Sequence, residues 1–63
     1  MYRLVVYKRD DKPSTHYFDD YEEMDYNATL LQFSSNPDLS KVVAEEARLF
    51  DWKKLFTINY NKQ

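Results

Sequence analysis

The sequence predicts an α+β fold: a small antiparallel sheet in ββαββ order with one helix packed on one face. Three observations predict it. Runs rich in β-branched and aromatic residues lie near both ends, at Tyr2–Lys8 and Leu55–Tyr60. Between them is a stretch of helical period, Tyr21 to Phe33, introduced by acids and ended by Ser-Ser-Asn-Pro. The chain has 63 residues, which makes one domain, residues 1–63, and no more.

Each element has its own justification. In Tyr2–Lys8 (YRLVVYK), Tyr2, Leu4 and Val6 alternate with Arg3, Val5 and Tyr7, the two-residue period of a strand. Arg9 to Ser14 is charged and interrupted by Pro13, which reads as a hairpin loop, and Thr15-His16-Tyr17-Phe18 follows as a short second strand. Asp19 and Asp20 are N-cap candidates, with Glu22 and Glu23 three residues on in a capping-box arrangement. In the helix, Tyr21, Met24, Ala28 and Leu31 fall on one stripe, and Tyr26, Leu30 and Phe33 are expected to widen it. The helix should stop within Ser34–Pro37, because the residue before proline avoids the α region.

The last third has two readings. Helix propensity in AEEAR supports a second helix from Val42 to Phe56. The alternative is a hairpin, with a strand from about Lys41 to Phe50, a turn at Asp51-Trp52-Lys53, and a return through Leu55–Tyr60. The hairpin is preferred, since it spares the fold a lone terminal strand. One helix covers only one side of such a sheet. The other side is expected to present Val5, Tyr7, Tyr17, Trp52 and Phe56 as a dimer or partner face.

Composition excludes most chemistry. There is no cysteine and one histidine, His16, so disulfides, thiolate nucleophiles and His clusters are ruled out. There is no glycine, which phosphate-cradling loops, nucleophile elbows and dinucleotide fingerprints all require. The expectation is a protein that is not an enzyme, with no cofactor and no metal. No apolar run approaches the roughly 20 residues of a membrane span, and the first residues read as a strand rather than a leader. A cytoplasmic protein without membrane partners is therefore expected. A core this small usually needs a staple, and with disulfides and metals excluded a homodimer is expected.

Charge is unevenly placed. Residues 1–14 carry a net +2 and residues 41–63 a net +2, whereas Asp19, Asp20, Glu22, Glu23 and Asp25 fall within seven residues without a base. Helix capping and the macrodipole account for two or three acids, each worth about 0.3–1 kcal/mol. Five exceed that need. With Tyr21 and Tyr26 beside them, they form a candidate binding surface for a protein partner with a basic groove. Direct binding of nucleic acid is not expected, since the chain is acidic overall.

The segments YRLVVYKRDDKPSTHYF and DDYEEMDYNATLL, in that order, give the chain a layout that resembles small bacteriophage early and inhibitor proteins. Within that class the layout of residues 2–50 is most similar to the uracil-DNA glycosylase inhibitors of small Bacillus phages. The resemblance implies a small protein that binds and inhibits a nucleic-acid-acting host or defence enzyme (a glycosylase, nuclease or CRISPR effector) through its acidic helix. It is a resemblance of layout, so no residue role is carried over. The chain also departs from it, being less acidic and having an extra aromatic arm from Trp52 to Tyr60. The competing expectation is a structural or accessory homodimer whose aromatics serve assembly alone.

Overall fold

The computed structural model describes residues 1–34 and 36–60. Its elements are β1 (Tyr2–Lys8), β2 (Ser14–Phe18), α1 (Tyr21–Gln32), β3 (Leu39–Ala47) and β4 (Trp52–Asn59), forming an α+β fold in ββαββ order. The strands make one antiparallel sheet in the order β2-β1-β3-β4. Residues 41–47 are therefore strand, not helix. AEEA lies in a central strand paired on both sides, and those two ladders override its helix propensity.

The register sorts the side chains. Leu4 pairs with His16 and Ala44, and Ala44 with Phe56, so these four share the face that α1 covers. Arg3 pairs with Tyr17 and Glu45, and Val5 with Thr15 and Val43, on the open face. The core consists of Leu4, Val6, Met24, Ala28, Leu39, Val42 and Ala44, with Tyr2, Phe18, Leu31, Leu55, Phe56, Ile58 and Tyr60 packed around it. Ala28 on the helix and Ala44 on β3 are the two small residues of this cluster, both buried. Burying Leu4, Met24 and Val42 completely stabilises the fold by about 1.5–3 kcal/mol each. Both ends of α1 are tied to the sheet. Tyr21 packs edge-on against Tyr2 with ring centroids 5.5 Å apart, and the Tyr60 hydroxyl donates to the Leu31 carbonyl at 2.5 Å.

Four expectations need correction. Tyr26, Leu30 and Phe33 do not widen the buried stripe, since they are 65%, 55% and 79% exposed. The capping box is not closed: Asp20 is the N-cap residue but makes no side-chain capping bond. The last hairpin turns earlier than expected. Leu49 and Phe50 sit almost fully exposed at its tip, and Trp52 belongs to β4. Finally, Phe56 is on the helix side, not the open face. The cause is a β-bulge: Ala44 pairs with Phe56 but Glu45 with Lys54, which leaves Leu55 as an extra residue. Trp52 and Phe56 are four residues apart and would share a face in a regular strand. The extra residue puts them on opposite faces.

Candidate functional site

The outward surface of α1 is the most distinctive feature of the molecule. Met24 and Ala28 point into the sheet, and Leu31 follows them. The 100° step of the helix then directs Tyr26, Leu30 and Phe33, spaced i, i+4, i+7, away from the core. These three make an apolar ridge along the solvent side. Glu22 and Glu23 stand one turn before Tyr26, Asp25 flanks it, and Asp19 and Asp20 lead into the helix. All five carboxylates are exposed. Among the described residues the one ion pair joins Arg3 to Glu45, and none of the five carboxylates takes part in it. The first turn of the helix holds Glu22 and Glu23, and its last turn holds no base, so charge is concentrated at the N-terminal end.

The structure thus brings together Asp19, Asp20, Tyr21, Glu22, Glu23, Asp25 and Tyr26 on one surface. Tyr21 is divided between roles, since its edge packs on Tyr2 while 44% of it stays exposed. Met24, adjacent in sequence, is fully buried and cannot serve as a contact. Sequence reasoning assigned Leu30 and Phe33 to the core. Two apolar stripes on one short helix were a signal that one of them is left over.

The open face of the sheet is a second surface of different character. Val5, Tyr7, Tyr17 and Trp52 are on it. Arg3 is at its centre of charge, with Nε donating to Glu45 Oε1 at 2.6 Å and the guanidinium 4.0 Å from the Trp52 ring centroid. Tyr17 leans on Trp52 at 6.1 Å, and the Lys41 ammonium is 4.9 Å from the Tyr7 ring. This cluster ties β1, β2, β3 and β4 together across the sheet. Its aromatics are partly occupied by cations of the same chain, whereas the ridge on α1 is bare.

A hollow of about 530 Å³ opens between β2 and α1, lined by Leu4, Thr15, His16, Tyr17, Phe18, Asn27 and Leu31. Its polar groups are too few and too dispersed for acid–base work: His16 is exposed, and Asn27 donates to the Glu23 carbonyl one turn back. Comparison with protein-family models, curated proteins and solved structures returned no match, so the site is read from its own geometry. No helix among the described residues is long and apolar enough to cross a membrane.

Proposed function

We propose that this chain is a non-catalytic binding module that docks the outward face of α1 into an apolar groove with a basic rim on a partner protein. The observation that carries this reading is the bare Tyr26–Leu30–Phe33 ridge with five exposed carboxylates at its N-terminal end, none in an ion pair among the described residues. Anchors at i, i+4 and i+7 are how an amphipathic helix enters a groove. The acids steer encounter and select against acidic partners. Enzymes that act on nucleic acid have basic grooves built to receive phosphate. A helix that fills such a groove blocks the substrate, so the module acts as an inhibitor of a host or defence enzyme of that class.

The test is a pull-down from bacterial lysate with the tagged chain, run beside a Glu22→Lys/Asp25→Lys variant. The expected result is one stoichiometric partner, released by salt, whose affinity drops at least about tenfold in the variant, equivalent to about 1.4 kcal/mol. Unchanged capture by the variant at low salt would sink the charge-matching reading.

A further inference from the structure

The order β2-β1-β3-β4 leaves two strands with one unpaired side each. They are not equivalent. β4 carries exposed Lys53 and Lys54 and the bulge at Leu55, devices that discourage addition of another strand. β2 is Ser-Thr-His-Tyr-Phe, with no charge, no proline and an unbroken register against β1. Its free backbone groups are a template with no protection.

We propose that β2 pairs antiparallel with β2 of a second copy about a twofold axis through His16, joining two four-stranded sheets into one of eight strands. The argument is one of self-complementarity. In this register Thr15 of one copy lies opposite Tyr17 of the other, and Ser14 opposite Phe18. Two residues beyond each end of the strand, past Pro13 and Asp19, Lys12 of each copy is opposite Asp20 of the other. Both residues are exposed, neither is in an ion pair within the described residues, and the Asp20 carboxylate is not used to cap α1. A twofold axis makes each such contact twice. Alternation of faces allows register slips only by two residues. Each slip shortens a five-residue ladder and separates Lys12 from Asp20.

Other surfaces fit a second copy less well. The open face carries Arg3, Lys41 and Lys54 against Glu45, so apposing two of them sets like charges together. At the β2 edge, by contrast, the hollow beside α1 runs along the proposed seam, and the apolar Phe18 lines it. The axis sets both hollows and both α1 helices on the same side of the joined sheet. The second copy also supplies the staple that a cysteine-free chain of this length lacks.

The experiment is sedimentation equilibrium of the 63-residue chain, with no other protein present, over nanomolar to millimolar concentration. A dimer of twice the 7.7 kDa chain mass is expected. Lys12→Asp alone and Asp20→Lys alone each turn two attractive contacts into two repulsive ones, and should weaken the dimer about tenfold or more. Mixing the two variants restores both contacts in a heterodimer, and the double variant K12D/D20K restores them in a homodimer. Recovery on mixing also shows that the single variants fold. A chain monomeric at every concentration overturns the proposal, as does a dimer indifferent to both reversals. Neither result bears on partner capture through α1, which is measured separately.

Discussion

Replacing Tyr26 and Phe33 by glutamine separates folding from binding. Complete burial of a large apolar side chain is worth about 1.5–3 kcal/mol. Phe33 is 79% exposed and Tyr26 65% exposed, so only about a fifth and a third of their surfaces are covered in the fold. By proportion they stabilise it by about 0.3–0.6 and 0.5–1 kcal/mol, both upper bounds, because an unfolded chain already covers part of its apolar surface. At Tyr26, inside the helix, glutamine also has a better helix propensity than the aromatic, which returns a few tenths of a kcal/mol. The double variant should therefore lose no more than about 1.5 kcal/mol. Met24 makes the contrast. It is fully buried, and Met24→Ala should cost about 2–5 kcal/mol, enough to unfold much of a small domain.

Urea unfolding followed by Trp52 fluorescence measures the first half of this prediction. With a slope near 1 kcal/mol per molar for so short a chain, the midpoint should fall by less than about 1.5 M in the ridge variant. Partner capture measures the second half. Loss of two exposed aromatic anchors should weaken it by about 30-fold or more. If the ridge variant is as unstable as Met24→Ala, the ridge is covered in the molecule in solution and the argument from its exposure fails. If stability and capture are both unchanged, the ridge is not the binding surface.

Two further outcomes test the packing itself. A double-mutant cycle on Arg3→Met and Glu45→Gln should give a coupling of about 0.5–1 kcal/mol, since the pair is half-buried and held at 2.6 Å; a coupling below about 0.2 kcal/mol would show the contact to be idle. Burial raises the Tyr60 hydroxyl above its usual value near 10. The folded chain thus holds that proton more tightly than the unfolded one, and the associated stability is intact below pH 10 and lost as pH rises through the folded value. Tyr60→Phe should cost about 0.5–1.5 kcal/mol at pH 8, from the lost bond to the Leu31 carbonyl. That difference from the native chain should shrink when unfolding is repeated above pH 10. A difference that stays constant across both pH values would contradict it.

Much of the fold was legible because its rules are local. Alternation in Tyr2–Lys8, the proline-broken loop after it and the acids before Tyr21 each act within a few residues. The choice of hairpin over helix for AEEA needed one global consideration, that a lone terminal strand after two helices is poorly accommodated. The bulge was not legible. Nothing in Lys53-Lys54-Leu55-Phe56 marks which residue is extra, because the extra residue is set by two half-buried side chains, Leu55 and Phe56, both gaining contact with the core. That gain shifts the faces of everything before it and carries Trp52 to Arg3.

The helix shows why periodicity finds faces but does not assign them. Tyr21-Met24-Ala28-Leu31 and Tyr26-Leu30-Phe33 both repeat at helical spacing, and either is apolar enough to be a buried face. The sheet selects the first. Met24 and Ala28 are buried in one cluster with Leu4, Val42 and Ala44, and a side chain as small as that of Ala28 permits close packing there. Turning the helix to bury Leu30 or Phe33 would hold α1 away from the sheet and open space around Leu4 and Val42, at a cost of about 24 cal/mol per Å³ of residual cavity. Close packing in the core thus leaves the Tyr26-Leu30-Phe33 stripe outside. An apolar ridge beside the acids follows from how the core closes, and it is the same ridge on which the binding hypothesis stands.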